Sequence, residues 1–215
     1  MSKYENVIDQ FKFREETIVK ALEDNGVRLE DIKVIVGRGG LLRPIPSGVY
    51  EVNEAMLKDL SSACYGEHAS NLGGIIANEL ASRIKGCKAY IADPVVVDEL
   101  CDVARIGGHP MFPRISIFHA LNHKAIAKMY ARETGKEYGD LNLVVVHMGG
   151  GVSVAAHSKG KVVDVNNALY GEGPFSPERS GGISAKQLAD ACFSGKYSQS
   201  EINKIISGKG GVVAH

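Results

Sequence analysis

Several places in the chain put chemically capable side chains where a regular pattern breaks into a loop. Arg38 follows the apolar run Ile32–Val36 and is flanked by Gly37, Gly39 and Gly40. A guanidinium suits bidentate contact with a carboxylate or phosphate, and flanking glycines let an anion approach the main chain. An ordinary surface-turn arginine fits the local sequence equally well. Asp93 ends the run Ala89–Ala92 just before Pro94. Ligands of open α/β sheets gather beyond the carboxyl ends of strands, a good place for a metal-binding or orienting carboxylate; Asp-Pro is also a common turn. His119 and His123 stand four apart and would share a helix face. That spacing serves metal sites, but no glutamate follows His119 and no third ligand is evident. A hydrogen-bond donor to a reacting oxygen, or simple packing at a helix start, suits His119 better.

The most informative stretch is Leu143–His157, which reads as strand, glycine turn and strand, with a third strand after Ser158-Lys159-Gly160. The apolar run Leu143–Val146 predicts a buried strand. Gly149, Gly150 and Gly151 allow a tight turn and close approach of a ligand. Amides displayed by such a turn form an anion-binding concavity, and Ser153 adds a hydroxyl. Arg179 follows in Gly171–Gly181, a segment too rich in Gly, Pro and Ser for a regular element. Glu67-His68-Ala69-Ser70-Asn71 is a polar patch entering a helix, where His68 would cap the helix or line a cleft. His109, His157 and His215 suggest no role.

Other chemistries lose support. The chain has no G-x-x-x-x-G-K-[ST], no G-x-G-x-x-G and no serine elbow. Cys64, Cys87, Cys101 and Cys192 are scattered without a C-x-x-C, which predicts reduced, half-buried thiols and no zinc site. Lys+Arg and Asp+Glu both number 25, so zero net charge offers no basic surface for nucleic acid. The start Met-Ser-Lys-Tyr-Glu-Asn lacks a signal-peptide core, and no run is long enough to span a bilayer. A cytoplasmic protein with neither nucleic-acid nor membrane partners is expected.

The elements that must position these residues follow from periodicity. Helical spacing covers Asn6–Asp24, Asn53–Ser62, His68–Ile84, Ile117–Thr134, Ser184–Phe193 and Ser198–Ile206, with a short helix at Asp98–Ala104. Strands are predicted at Ile32–Val36 and Lys88–Ala92, ahead of the three-stranded meander. Helices alternating with strands, then a meander, indicate an α/β protein with mixed sheets. At 215 residues and 44% hydrophobic, the chain has room for one large or two small cores.

Val146-His147-Met-Gly-Gly-Gly-Val-Ser153 resembles the second phosphate motif of the acetate and butyrate kinases, within the sugar kinase, heat-shock chaperone and actin superfamily. Gly37–Pro46, Gly66–Gly73, Ala92–Glu99, Ser116–Asn122, Asp164–Ala168 and Pro174–Gly181 resemble the butyrate kinase branch. The resemblance covers essentially the whole chain. It implies an actin-like ATPase (ribonuclease H-like) fold of two lobes, the first over 1–96 and the second over 97–215. It implies phosphoryl transfer between ATP and a short- or branched-chain fatty acid, with magnesium. Arg38 and Arg179 match arginines that clamp the carboxylate and the moving phosphoryl group. Asp93 matches an aspartate linked to magnesium, and His119 a histidine that stabilises the transition state. His147, Gly149, Gly150, Gly151 and Ser153 match the phosphate-binding hairpin, and His68, Asn71 and His123 match polar positions of the substrate cleft. Family members are homo-oligomers.

The resemblance also implies that an opening strand and first phosphate loop, a later adenosine segment and a C-terminal glutamate lie outside this sequence. Both lobes are therefore expected to be incomplete, and the 215-residue chain to have negligible kinase activity. The alternatives are an acetate or propionate kinase, or a non-catalytic nucleotide-binding module.

Overall fold

A computed structural model describes residues 4–215. The chain divides into two compact units, Met1–Val97 and Asp98–His215.

In the first unit, helix α1 (Phe11–Asp24) follows a single 3-10 turn, so the helical pattern from Asn6 starts one turn late. Strand β1 (Val34–Gly37) runs parallel to β3 (Lys88–Ala92), and β2 (Val49–Glu51) pairs antiparallel with β3 on its other side. Sequence reasoning missed β2, which is only three residues long and stands beside a loop holding Pro44 and Pro46. Helices α2 (Glu54–Ser62) and α3 (Asn71–Ser82) lie between the strands in sequence. Helix α3 buries Leu72, Ile76 and Leu80 against Val7, Phe11, Val19 and Ile35, and Ala77 and Ala81 against Ala89. The side chains of Val34, Val36 and Val49 remain exposed.

In the second unit, β4 (Asn142–Met148), β5 (Val152–Ser158) and β6 (Lys161–Val165) form an antiparallel meander in which β4 and β5 pair in full register, Met148 opposite Val152. Helix α4 (Ala120–Glu133) packs on β4, and α5 (Ala185–Phe193) and α6 (Gln199–Ile206) come later. A capping box of Ser198 and Glu201 opens α6, as sequence chemistry favours.

Three expectations need correction. The run Leu143–Val146 is not buried throughout: Val144 is 74% exposed and Val146 48%. A sheet covered by a helix on one face leaves alternate residues on the open face. The helix expected at Asp98–Ala104 is only a 3-10 turn at Asp102–Arg105, because Asp98 accepts from the Leu100 N–H and binds Arg105, organising a local turn instead. The cysteines are free, but Cys64, Cys101 and Cys192 are exposed and only Cys87 is half-buried.

Candidate functional site

In the first unit the parallel pairing of β1 and β3, with Gly37 beside Ile91, brings Arg38 and Asp93 to the same carboxyl edge of the sheet. The glycines of this turn matter for close approach. A Cβ on Gly37 would overlap the Gly73 carbonyl, so β1 meets the first turn of α3 backbone to backbone. Gly39 has φ +74°, and a Cβ there would stand 2.9 Å from the Pro94 Cβ. The Arg38 side chain is exposed to solvent, yet the protein around it partly desolvates the guanidinium and lowers its pKa. An arginine stays charged through such a shift.

Asp93 sits in the left-handed region at φ +36°. Its Oδ1 accepts from the Ser47 hydroxyl at 2.7 Å and the Gly48 N–H at 2.9 Å. Its Oδ2 accepts from none of the described residues, so half of an oriented carboxylate is available. Strain at a non-glycine residue, offset by two hydrogen bonds, is the pattern of a positioned functional group. Asn71 is 3% exposed and both ends of its amide are used. Its Oδ1 accepts from Leu41 N–H at 2.8 Å, and its Nδ2 donates to the Gly66 carbonyl at 3.0 Å. It ties the Arg38 loop to α3. His68 Nδ1 accepts from the Ser70 N–H at 3.1 Å and lies 2.7 Å from the Ser70 hydroxyl, closing the turn before α3.

The second unit gathers the remaining residues around Gly149–Gly151. None of these three glycines has positive φ, so their use is space rather than handedness. A Cβ on Gly151 would come to 3.0 Å from the Ala168 carbonyl oxygen and 3.7 Å from Arg179 Cγ, and one on Gly149 to 3.5 Å from His147 Nε2. The bend is pinned at Gly150, whose carbonyl accepts from the Ser176 hydroxyl at 2.7 Å and the Glu178 N–H at 3.1 Å. Those two contacts explain why a segment without regular structure still places Arg179 beside the bend. Among the described residues, the N–H groups of Gly150 and Gly151 donate to no acceptor, and the Glu178 carboxylate stands beside the bend, 3.2 Å from where a Gly150 Cβ would be. Arg179 Nη1 donates to the Glu178 carbonyl at 3.2 Å, while its buried Nε has no partner.

His119 caps α4, its Nδ1 accepting from the Asn122 N–H at 3.3 Å. Its ring centroid is 4.4 Å from that of His147, and His147 Nδ1 lies 3.1 Å from Asn122 Oδ1. Beneath this pair, His123 is fully buried, its Nε2 2.8 Å from the Ser153 hydroxyl. Its ring stacks on His157 at 5.7 Å, and His157 Nδ1 lies 2.7 Å from the Tyr138 hydroxyl. Desolvation first, then the neighbouring His157, His147 and His119, push His123 down to about 3. Desolvation and the Lys124 charge push His157 down to about 4, against the opposing pull of Glu99. Both rings are therefore neutral. The His123 Nδ1 and His157 Nε2 atoms are buried without partners. An orphaned lone pair costs less than an orphaned N–H, so His123 Nε2–H donates to Ser153 and His157 Nδ1–H donates to Tyr138.

Of the residues named from the sequence, His119, His123, His147, Ser153 and Arg179 lie in this unit, with His123 and Ser153, the latter only 1% exposed, buried beneath the bend. Asn122, Tyr138 and His157 were missed. The signal for His157 was available: Ser153, Ala155 and His157 alternate along β5 and share its inward face. No group of three or more metal-ligating side chains occurs among the described residues, and no helix among them is long and apolar enough to cross a membrane.

The fold is that of the actin-like acetate kinases. Porphyromonas gingivalis acetate kinase superposes with a TM-score of 0.76 at 20% identity, over 94% of this chain and 54% of that one. A propionate kinase from Francisella tularensis gives 0.72 at 19% identity, over 93% and 53%. Residues 114–215 match the model of the Acetokinase family. More narrowly, the chain is similar to butyrate kinases along its whole length. It is 59% identical to Butyrate kinase 2 of Clostridium acetobutylicum and 54% identical to a probable butyrate kinase of Bacteroides thetaiotaomicron, over 215 residues in each case. It spans 60% of the length of each of these relatives.

Proposed function

We propose that the chain carries phosphoryl-transfer machinery of a butyrate kinase, which moves a phosphoryl group reversibly between ATP and the carboxylate of a short- or branched-chain fatty acid. The observation that supports this most is the Gly149–Gly151 bend, flanked by the Arg179 stem and two imidazoles. Phosphoryl transfer needs little covalent help from protein but much charge compensation on the equatorial oxygens. The open N–H groups of Gly150 and Gly151 suit a nucleotide phosphate. The Arg179 guanidinium and a His119 N–H suit the charge that builds on the transferring group. In the first unit, Arg38 suits the carboxylate of the acid or acyl phosphate.

Magnesium fits this donor set as a nucleotide-borne ion, since one carboxylate plus substrate phosphates is its usual arrangement. Asp93 would hold it through Oδ2, the oxygen left over from the Ser47 and Gly48 hydrogen bonds. Such an ion would supply charge neutralisation to a phosphate it carries. The family resemblance also supports a cytoplasmic homo-oligomer.

Hydroxylamine trapping of acyl phosphate tests the reading, with Mg-ATP and a series of acids from acetate to isobutyrate. With the segments that the resemblance places outside this sequence supplied, product is expected, with the highest kcat/KM on a four-carbon acid, whereas the 215 residues alone should give negligible product. ATP binding by calorimetry without acyl hydroxamate from any acid, even with those segments supplied, would establish a nucleotide-binding module instead. A clear preference for acetate would place the activity with the acetate kinases.

A further inference from the structure

We propose that Asn122 is a positioning residue that sorts the two imidazoles beside the triglycine bend into opposite tautomers. Its main chain sets His119 and its side chain sets His147. The assignment rests on donor and acceptor bookkeeping. A main-chain N–H can only donate, so the Asn122 N–H, 3.3 Å from His119 Nδ1, requires a lone pair on that nitrogen. A neutral His119 then carries its proton on Nε2. The Asn122 side-chain oxygen lies 3.1 Å from His147 Nδ1, and with the amide in that orientation the oxygen accepts, which assigns a proton to His147 Nδ1. A neutral His147 consequently has its lone pair on Nε2, the atom lying beside Gly149.

The two rings stand 4.4 Å apart at an interplanar angle of 45°. They belong to different elements, α4 and β4, and one residue ties both. Asn122 occupies the third position of α4, where its N–H is one of the helix-start donors without an intrahelical acceptor. Using that amide to fix the His119 tautomer leaves the Asn122 side chain for β4. For neutral rings this arrangement makes His119 Nε2 a donor and leaves the acceptor nitrogen of His147 beside Gly149. In the proposed kinase the donor would face charge developing on the transferred group, and the acceptor would adjust to the nucleotide phosphate.

This inference builds on the kinase reading for its consequence but not for its test. Long-range proton–nitrogen NMR on the 215-residue chain reads the protonated nitrogen of each histidine, whether or not the chain turns over substrate. The wild-type protein should show His119 as Nε2–H and His147 as Nδ1–H. Asn122→Ala retains the main-chain amide, so His119 should be unchanged while His147 loses its fixed Nδ1–H form. Asn122→Asp keeps an acceptor oxygen and should restore it. Where the protein makes acyl phosphate, Asn122→Ala should lower kcat by about 10- to 100-fold with little change in KM for the acid, and Asn122→Asp should recover part of that loss. A wild-type His147 carrying its proton on Nε2, or a His147 tautomer indifferent to Asn122→Ala, would overturn the proposal, as would altered tautomers with unchanged kcat. The expected tautomers in a protein that binds ATP but never forms acyl phosphate would sustain the ring assignments and overturn only the kinase reading.

Discussion

Arg179 is held by its main chain as well as by its guanidinium, which lies 3.6 Å from the Glu178 carboxylate and donates to the Glu178 carbonyl. The Arg179 carbonyl accepts from the Ser176 N–H at 3.0 Å, and the residue forms a short bridge with Ser207, so the loop does not need the guanidinium to keep its shape. In the proposed kinase, with its remaining segments present, Arg179→Ala should therefore cost turnover on the order of 100-fold or more, the usual effect of losing one preorganised charge donor. The melting temperature should change little. Near-normal acyl hydroxamate formation in that variant would remove Arg179 from the reaction. Residue types at loop edges were legible from the sequence, which is why Arg38, Asp93, His119 and Arg179 could be named at all. Their partners were not legible. Nothing in the order of residues says that Glu178 and Ser176 would pin the Gly150 carbonyl, or that Asn122 would reach β4, because those contacts depend on how distant segments fold back.

Elements were read better when their apolar period was long. The spacing that predicted α1, α3 and α4 survives with ends shifted by a few residues, and the strand read after the triglycine turn in Leu143–His157 is β5. Short pieces failed: β2 has too few residues to show a period, and the acidic stretch from Asp98 satisfies its own main chain instead of continuing a helix. The least legible feature is how closely β1 and α3 meet. Gly37 needs no unusual φ, so its reason for being glycine appears only once the Gly73 carbonyl is seen where a Cβ would be. Gly37→Ala should force the strand and helix apart and destabilise the first unit by about 1–3 kcal/mol, the usual cost of overpacking. Denaturant unfolding followed by hydrogen exchange of the α3 peptides would measure this. A stability equal to wild type would mean that the helix can move away without loss.

At the scale of the whole chain, the two compact units carry different acid sensitivities. His123 and His157 both belong to Asp98–His215, and burial holds them far below the ordinary histidine value of 6.5, at about 3 and about 4. The unfolded chain binds protons at these positions as pH drops through 6.5, while the folded chain does not. Their contribution to stability is therefore complete above about pH 6.5 and is lost progressively as pH falls toward 4. The slope approaches ~1.4 kcal/mol per pH unit for each histidine. In Met1–Val97, Glu15 and Asp59 are shifted the other way. Despite its burial, contacts with Lys12 and Arg83 hold Glu15 below its ordinary 4.5, and the Arg43 hydrogen bonds hold Asp59 below 3.8. Stability from a depressed carboxylate is complete above its unfolded value and is lost only below it. Between pH 6.5 and 5 these histidines thus weaken the second unit while those carboxylates leave the first unaffected. Hydrogen-exchange mass spectrometry across that window should show α4 and β5 peptides losing protection more steeply than α3 and β3 peptides, and His157→Phe should reduce the difference. Parallel loss in both units would mean that they unfold as one, and no loss in either would mean that the stacked imidazoles are protonated while folded and that water reaches them beneath the triglycine bend.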